Sequence, residues 1–407
     1  MTGNEKAKKQ RFVLHGSLFD RAKIPQDAAK ILDSFDEVIF SVRKMNSKQR
    51  ENLPFAIRSL SHLLTDERSS RRVGYMNGSS ETSAYAHYFL WWNLERLVRL
   101  FSNLPPSAFD FPKKSIAIDI GSGLLTVPIA LWLARPELRK KEIKWYCVDI
   151  SQGALSFGNE LFLAVCAKTV LENQEPWKIV RVCDSLGTNI REKANCLFCA
   201  NVFNEIVQND FLPSDFLSKK YASLLSSYLL NENSSIFLFE PGEPKSARFI
   251  SLMRESLMKQ GFFPFAPCPH DVSCPMKGRS GSKKSEAWKN AKWCNFGFST
   301  SDSPKKLLSI SKEAGLNKER ATLSFLISRK IEPSQQKDEK TLKLRIASDE
   351  IRLPLRKIGR YACSKEGLVL AVGQGAKTVS NGDLIEVPLP QKNAPRDEKS
   401  GATIILL

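Results

Sequence analysis

The sequence predicts an α/β protein with a helical region, then a doubly wound sheet with a cysteine-rich insertion, then a small β domain. Three patterns predict it. Apolar residues recur at three- and four-residue spacing from about Ala22 to Leu104, which is typical of amphipathic helices. Short apolar runs alternate with helical segments from Ser115 to Gln260, which indicates a parallel sheet. The end of the chain alternates in polarity and is rich in turns, as at Asn381-Gly382-Asp383, which favours an all-β domain.

The last part of the helical region, Ala84 to Phe101, is rich in aromatic residues. Large aromatic side chains dominate the burial of protein cores, so we expect this helix, with Trp91 and Trp92, to pack against the next domain. The pair Pro105-Pro106 ends the region, because proline does not continue a helix.

The central region alternates strand and helix. The predicted strands are Ser115–Ile120, Lys144–Asp149, Trp177–Cys183, Ala194–Val202, Ser235–Phe239 and Ala321–Arg329, with Phe262–Phe265 as a further candidate. The predicted helices are Leu125–Ala134, Gln152–Leu171, Leu212–Leu230 and Ser246–Gln260.

A loop of proline, glycine, serine and lysine, Cys268 to Lys292, interrupts this alternation before the last strand. It predicts an insertion near the end of the sheet, at residues 262–300, and a polar linker follows at Glu332 to Lys340. The predicted domains are a helical region at 1–110, a Rossmann-like domain at 111–330 and a small β domain at 331–407.

Positive charge dominates the composition, because 61 lysine and arginine residues stand against 43 acidic residues and give a net charge of +18. Such an excess attracts polyanions and favours phosphate contacts through counterion release. We therefore expect a nucleic acid or a ribonucleoprotein as partner, against the alternative of an ordinary solvated basic surface. The residues considered for this contact are Arg71, Arg72, Arg139, Lys140, Lys141, Lys283 and Lys284.

The sequence has no run of eighteen apolar residues, so it predicts no membrane span. The polar, basic segment Met1 to Arg11 has no apolar stretch like that of a secretory signal. We expect a cytoplasmic location, with a mitochondrial one as the alternative, and a monomer bound to its partner.

A glycine turn follows the first strand of the sheet and contains Asp119, Gly121 and Gly123. Glycines there let a ligand approach the backbone closely, and the following helix begins with its positive end at the ligand. Two further acids end strands: Asp149, which can accept from both hydroxyls of a ribose, and Asp184, which can lie beside an adenine amine.

The turn differs from a nicotinamide-binding motif, whose third glycine would stand at Thr126. It resembles the first motif of class I S-adenosylmethionine methyltransferases, although Leu125 replaces the usual third glycine. The resemblance implies that the glycine loop wraps the methionine part of the cofactor and that Asp149 binds its ribose.

No residue of the sequence qualifies as a catalyst. Cys199 lies inside a predicted strand, where a buried structural thiol is expected rather than a nucleophile. Asn204 and Glu205 are candidates for contact with a methyl donor or a substrate, or for capping the next helix. Whether the protein is an enzyme stays open, and its catalytic residues are unknown.

Three cysteines, Cys268, Cys274 and Cys294, lie in the proline-rich insertion, whose stiffness favours binding of a soft metal. The candidates for a fourth ligand are His270 and Cys363. A Cys₃His set suits zinc, and four thiolates suit zinc or an iron–sulfur cluster. The remaining cysteines are expected to be packing residues: Cys147, Cys166, Cys183, Cys196 and Cys199.

Several segments occur in the order that the methyltransferase-like small-ribosomal-subunit family shows, from Tyr75 to Gly367. They are Tyr75, Thr82-Ser83-Ala84-Tyr85-Ala86, the Asp119 turn, Asn204-Glu205-Ile206, Glu240-Pro241-Gly242, Cys268-Pro269-His270, Cys274-Pro275, Trp293-Cys294 and Cys363 with Glu366-Gly367. The sequence resembles this family, whose mitochondrial members are assembly factors of the mitoribosomal small subunit. The lysine-rich stretch Lys277 to Lys292 departs from its pattern.

The resemblance implies a four-iron, four-sulfur cluster held by Cys268, Cys274, Cys294 and Cys363, and contact with small-subunit ribosomal RNA. It also implies that methyltransferase activity is doubtful or lost in mitochondrial members. Three hypotheses follow: an rRNA-binding factor in subunit assembly and translation with a structural cluster, an active S-adenosylmethionine-dependent rRNA methyltransferase, and a zinc-stabilised RNA-binding module.

Overall fold

Two sheets organise the chain in the computed structural model, which describes residues 12–65, 78–169, 175–207, 212–279, 285–331, 340–391 and 393–407. The strands are β1 Val13–Gly16, β2 Lys114–Ile120, β3 Glu142–Asp149, β4 Lys178–Cys183, β5 Cys196–Ala200, β6 Ser235–Pro241, β7 Phe263–Ala266, β8 Phe296–Ser299, β9 Arg320–Arg329, β10 Thr341–Ile346, β11 Ile351–Arg352, β12 Ile358–Ser364, β13 Gly367–Val372, β14 Leu384–Pro388 and β15 Thr403–Leu406.

Helices cover both faces of the central sheet, which contains β2 to β9, and form the N-terminal region. They are α1 Gln26–Asp33, α2 Phe35–Val42, α3 Ser47–Thr65, α4 Ser79–Ala84, α5 Trp91–Asn103, α6 Thr126–Ala134, α7 Gln152–Thr169, α8 Phe203–Ile206, α9 Ser214–Ser227, α10 Pro244–Met258, α11 Glu286–Asn290, α12 Lys305–Glu313 and α13 Gly375–Thr378. A π-helical segment, Tyr85–Leu90, joins α4 to α5. Among the described residues, no helix has the length and apolar character needed to cross a bilayer.

The central sheet has the order β4-β3-β2-β5-β6-β9-β7, and β8 also pairs with β9. Strands β2 to β6 are parallel, whereas β9 runs antiparallel to β6 and β7. The strand order reverses between β2 and β5, as in doubly wound nucleotide-binding folds. The antiparallel strand β9 lies between β6 and β7. The predicted fold class is thus confirmed: this is a Rossmann-like domain of the class I S-adenosylmethionine methyltransferase type.

The sheet is buried because both of its faces carry helices. On one face, α6 has all nine residues buried between the sheet, α5 and α7. Aromatic side chains of neighbouring strands stack beneath it, as Phe198 and Phe237 do with ring centroids 4.3 Å apart. On the other face, α9 and α10 pack together over the sheet.

The expected packing of the aromatic helix is confirmed. Trp91 and Trp92 are 1% and 2% exposed. Their indole nitrogens donate to the Leu32 carbonyl oxygen at 2.8 Å and to the Ser311 hydroxyl at 3.1 Å. Both polar tips of these large side chains are therefore satisfied inside the core.

The second sheet has the order β1-β14-β10-β12-β13-β15, with β11 paired to β12. Its first strand, β1, comes from the N-terminal region, where Val13 pairs with Glu386 of β14. The sequence analysis described that region as helical and contained no strand there. Four residues with largely exposed side chains carry no readable periodicity, and their partner lies more than 370 positions away.

The predicted central strands and helices all have counterparts, with ends shifted by a few residues. The predicted end of the second central helix, Leu171, lies outside the described residues. No element was predicted between residues 266 and 320, where the structure has α11, β8 and α12. The first two are five and four residues long, and such short elements are stabilised by their tertiary neighbours rather than by local pattern.

Candidate functional site

The glycine turn after β2 adopts the left-handed backbone that its glycines favour. Gly121 has a φ of 67° and Gly123 a φ of 51°. A methyl group added at Gly121 would lie 2.5 Å from Cγ2 of Val202, whereas nothing lies within 4 Å of one added at Gly123. Gly121 is therefore needed both for its conformation and for the close approach of the loop after β5.

Leu125, which stands where the motif has a third glycine, also has a left-handed backbone, with φ 55° and ψ 40°. This conformation costs a residue with a Cβ about 1–2 kcal/mol. The Leu125 side chain is fully buried, which offsets that cost. Gly158 of α7 allows the close packing here, since a Cβ on it would lie 2.5 Å from the backbone carbon of Leu124.

Asp149 closes the turn from the end of β3. Its two carboxylate oxygens accept from the backbone N–H of Gly123 and of Ser151, each at 2.9 Å. Burial raises the pKa of Asp149, and these two hydrogen bonds oppose the rise. A carboxylate has about four acceptor positions, so two remain for a ligand such as a ribose.

Asp119 lies behind the turn rather than in the cavity in front of it. It is 1% exposed, and its Oδ2 accepts from the Ser122 hydroxyl at 2.6 Å. Burial raises the pKa of Asp119 to about 8 despite that hydrogen bond. Its position supports the turn and the neighbouring Asp149 instead of forming the cavity wall.

Asp184 follows β4 and is exposed to solvent, and its N–H donates to the Asp149 carbonyl oxygen at 3.1 Å. It accepts from the Thr188 hydroxyl at 2.6 Å and from the Ser185 N–H at 2.7 Å. These hydrogen bonds lower the pKa of Asp184, which keeps it ionised.

A cavity of about 270 Å³ opens at the carboxyl edge of the sheet, in front of the glycine turn. Four of the five predicted cofactor-binding residues line it: Gly121, Gly123, Asp149 and Asp184. The lining residues that were not predicted as cofactor contacts include Tyr85, Ile150 and Asn201. Tyr85 belongs to the aromatic helical region interpreted as core, and its place beside the cavity depends on how that region packs.

Glu240 of β6 accepts hydrogen bonds from the loop that follows β5. Its Oε1 accepts from the N–H groups of Val202 at 3.0 Å and Phe203 at 2.8 Å, and its Oε2 accepts from that of Asn204 at 3.0 Å. Glu240 is 1% exposed, and burial raises its pKa to about 8. The amino end of α8 is thus capped by Glu240, while Glu205 lines the cavity.

Cys199, considered as a nucleophile, is fully buried within β5. Burial raises its pKa well above the ordinary value, with further increases from Asp119 and Glu240. A thiol held protonated in the core is a packing residue, as expected from the sequence. The same expectation was wrong for Cys183, which is exposed at the end of β4.

The structure brings the four predicted metal-binding cysteines into one neighbourhood. Burial raises the pKa of Cys294 well above its ordinary value, and the nearby thiols of Cys363, Cys268 and Cys274 raise it further. Cys274 and Cys363 are 9% and 5% exposed. Cys363 lies on β12 of the second sheet, whereas the other three cysteines follow strands of the central sheet or precede one.

Two buried arginines adjoin these cysteines. Arg254 donates to the carbonyl oxygens of His270 at 3.0 Å and Val272 at 2.8 Å. Burial raises the pKa of Cys268, and the charge of Arg254 opposes that rise. Arg345 likewise interacts with the thiols of Cys363, Cys268 and Cys294. Buried cations beside thiols favour the thiolate form, which is the form that binds metals.

Within the described ranges, no three or more histidine, cysteine, aspartate or glutamate side chains are arranged to hold a single metal ion. His270, the other candidate for a fourth ligand, is 5% exposed, and among the described residues neither of its ring nitrogens has a hydrogen-bond partner.

The basic residues considered for RNA contact differ in their exposure and in whether the structure describes them. Arg139 is 7% exposed and pairs with Asp27 at 2.6 Å, which corrects its assignment to the RNA-binding surface, because a buried guanidinium already bonded is not available. Lys140 is exposed, and Lys141 donates to the Phe111 carbonyl oxygen. The others lie outside the described residues: Arg71, Arg72, Lys283 and Lys284.

A family model described as the mitochondrial small ribosomal subunit Rsm22 matches residues 79–360 of the chain. This range contains the glycine turn, the three acids of the cofactor site and three of the four cysteines, and it ends three residues before Cys363. No curated protein matches the sequence.

Among solved structures, magnesium protoporphyrin IX methyltransferase from Synechocystis PCC 6803 is 14% identical, with a TM-score of 0.28 over 56% of this chain and 93% of that one. Geranyl diphosphate C-methyltransferase from Streptomyces coelicolor A3(2) is 7% identical, with a TM-score of 0.30 over 58% and 83%. A methyltransferase from Geobacter sulfurreducens is 14% identical, with a TM-score of 0.27 over 50% and 71%. Since these scores are low, the assignment of the fold rests on the strand order.

Proposed function

Because this chain belongs to the mitochondrial small ribosomal subunit Rsm22 family, we propose that it is a methyltransferase-like protein that associates with the small ribosomal subunit. It binds the subunit's RNA and aids subunit assembly and translation. The match of the family model over residues 79–360 carries the proposal, and the net charge of +18 supports contact with RNA.

Sedimentation of cell extracts tests this association. We expect the full chain to migrate with small subunits and their precursors at low salt, and to dissociate as salt rises, because phosphate contacts weaken with salt. Persistent absence from every ribosomal fraction at low salt would contradict the proposal.

The cavity at the carboxyl edge of the sheet is the proposed site for S-adenosylmethionine. Asp149 would accept from the ribose, the Gly121–Gly123 turn would surround the methionine part, and Asp184 would lie near the adenine. Asp119 would act through the turn. Calorimetry with the full chain tests the site: Asp149→Asn should weaken binding at least tenfold, whereas Asp215→Asn, at an exposed position of helix α9, should not.

An active rRNA methyltransferase is the second candidate function, and the preserved cavity with its acids favours it. The catalytic residues are unknown, so the first proposal does not include methyl transfer. Comparing rRNA methylation between a strain with the protein and a strain lacking it separates the two. A methyl group missing in the second strain would establish the activity.

We further propose that Cys268, Cys274, Cys294 and Cys363 hold a structural four-iron, four-sulfur cluster. The support is their common neighbourhood and the two buried arginines, which offset the negative charge of four thiolates.

Anaerobic purification distinguishes the cluster from zinc. We expect a brown protein with broad visible absorbance that contains iron and sulfide. Cys363→Ser should lose most of that colour, and the exposed cysteine control Cys183→Ser should keep it. A colourless protein that contains zinc would overturn the cluster and favour the zinc-stabilised RNA-binding module.

We propose a mitochondrial location on the basis of the family. The Rsm22 family is described as mitochondrial, which fits the mitochondrial alternative rather than the cytoplasmic location that the sequence analysis preferred. Imaging of the tagged full-length protein against a mitochondrial marker decides between the two.

A further inference from the structure

A groove of about 950 Å³ lies at the amino edge of the central sheet, opposite the edge with the cofactor cavity. Parallel strands all begin at the same edge, and four of the five parallel strands here contribute a lysine near their start. Lys114 begins β2, Lys144 lies near the start of β3, Lys178 begins β4, and Lys193 precedes β5. The strand order β4-β3-β2-β5 therefore places these four lysines in a staggered row, in which Lys144 lies beside Lys178 and Lys114 lies beside Glu142.

The groove keeps a positive charge after its ion pairs are counted. Seven basic residues line it: Lys114, Arg139, Lys140, Lys141, Lys144, Lys178 and Lys193. Four acids line it or pair with these residues: Glu142, Glu175, Glu192 and Asp27. Seven cations against four anions leave an excess of three positive charges.

Lys144 lies directly beside Lys178 on the neighbouring strand, and Glu192 forms an ion pair with Lys144. The Glu192 carboxylate therefore offsets part of the charge of these two lysines. The amine of Lys193 donates to the Ser227 carbonyl oxygen, which fixes its position at the end of the row.

We propose that this groove binds the phosphate backbone of ribosomal RNA. The inference rests on the proposed function and names the surface that makes the contact. Neighbouring strands lie about 4.8 Å apart, so four strands span about 14 Å. This span is comparable to the distance covered by several consecutive phosphates of one nucleic-acid strand. Lysines act as point charges for phosphates, and an acidic protein segment would not present so regular a row of anions.

The groove recognises the backbone rather than the bases. Trp177, the aromatic residue in its lining, is 4% exposed and donates to the Leu138 carbonyl oxygen, so it presents no face for stacking. Binding through lysines alone has little sequence preference. Because the cofactor cavity lies at the opposite edge, RNA bound in the groove leaves that cavity open.

Salt-dependent RNA binding by the full chain tests the groove. The variant is Lys114→Gln, Lys140→Gln, Lys178→Gln, and the matched control is Lys48→Gln, Lys219→Gln, Lys377→Gln, whose lysines are exposed and lie outside the groove. Fluorescence anisotropy with a small-subunit rRNA fragment gives the slope of log Kd against log salt. Each lost phosphate contact removes about 0.7–0.9 from that slope. We expect the groove variant to lose about 2 and the control to match the wild type.

The outcomes separate the groove from the proposed function. Equal slopes for the two triple variants overturn the groove and leave rRNA binding intact. A wild-type chain that binds no RNA at low salt overturns both. A groove variant that binds RNA normally but no longer sediments with small subunits assigns the groove to a ribosomal protein, which also overturns the inference. Should the triple variant unfold, Lys140→Gln alone should lower the slope by about 0.7–0.9.

Discussion

Arg345 donates a hydrogen bond from its Nε to the carbonyl oxygen of Pro267, 2.9 Å away. Arg345 belongs to β10 of the second sheet and lies opposite Cys363 in the pairing with β12, while Pro267 precedes Cys268. Its Nη1 also donates to the Gly382 carbonyl oxygen at 2.7 Å. One buried side chain therefore joins the second sheet to the cysteine segment of the central domain.

Replacing Arg345 by methionine should destabilise the protein. Two buried carbonyl oxygens would lose a charged donor, and we expect the free energy of unfolding to fall by about 2–4 kcal/mol. Chemical denaturation measures it. Arg352→Met, an exposed site on the same sheet, should stay within about 0.5 kcal/mol of the wild type. Equal stabilities for the two variants would show that the Arg345 bonds do not hold the domains together.

Gly121→Ala should damage the cofactor site more than Gly123→Ala. Both positions have a left-handed backbone, which costs alanine about 1–2 kcal/mol. Only at Gly121 does the added methyl group meet Val202, at 2.5 Å, and Val202 is held by Glu240. Denaturation should show the larger loss for Gly121→Ala, and calorimetry should show weaker binding of S-adenosylmethionine. Similar values for both variants would mean that Val202 moves aside freely.

The stability of the protein should fall as pH rises from 5 to 8, and Asp119→Asn should reduce this fall. Burial raises the pKa of Asp119 to about 8, whereas an unfolded aspartate ionises near 3.9. Between these two pKa values, Asp119 keeps its proton in the folded state and releases it in the unfolded state. Its contribution to the free energy of unfolding is therefore complete at low pH and is lost as the pH approaches 8. Asparagine keeps the acceptor for Ser122 and does not ionise.

Denaturation at pH 5 and pH 8 measures the difference. We expect the wild-type loss to exceed that of Asp119→Asn by about 1–3 kcal/mol. Some loss should persist in the variant, because burial also raises the pKa of Glu240 to about 8. Identical pH profiles would show that Asp119 is ionised in the folded protein throughout this range.

Lys318→Met should stabilise the protein at pH 7. Burial and the charge of Arg96 lower the pKa of Lys318 to about 8, and its amine lies 5.4 Å and 5.7 Å from the ring centroids of Tyr88 and Trp92. An apolar side chain removes the cost of the buried charge, and we expect a gain of about 1–3 kcal/mol.

The pH dependence of that gain is diagnostic. The pKa of an unfolded lysine is about 10.4, so it keeps its proton up to about that pH. Between pH 8 and 10 the folded Lys318 loses its proton while the unfolded lysine keeps it, and the free energy of unfolding of the wild type rises. The advantage of Lys318→Met should therefore be largest below pH 8 and shrink towards pH 10. The exposed control Lys312→Met should show no such trend. A constant difference at all pH values would assign the effect to packing alone.

The sequence by itself predicted the local elements and the motif that lies within one of them. Strands β2 to β6 follow from short apolar runs, and the aromatic helix around Trp91 and Trp92 follows from its period. The turn at Gly121 and Gly123 could be recognised because glycine, strand end and helix start are neighbours along the chain.

Tertiary structure decided what depends on distant partners. Glu240 caps a loop thirty-six or more positions away, Arg345 reaches Pro267 across two domains, and β1 pairs with β14. The lysine row exists because four strands, separated in sequence, begin at one edge of a sheet. Periodicity reports only which side of an element is apolar, whereas these contacts arise when buried polar groups find partners wherever the folded chain places them.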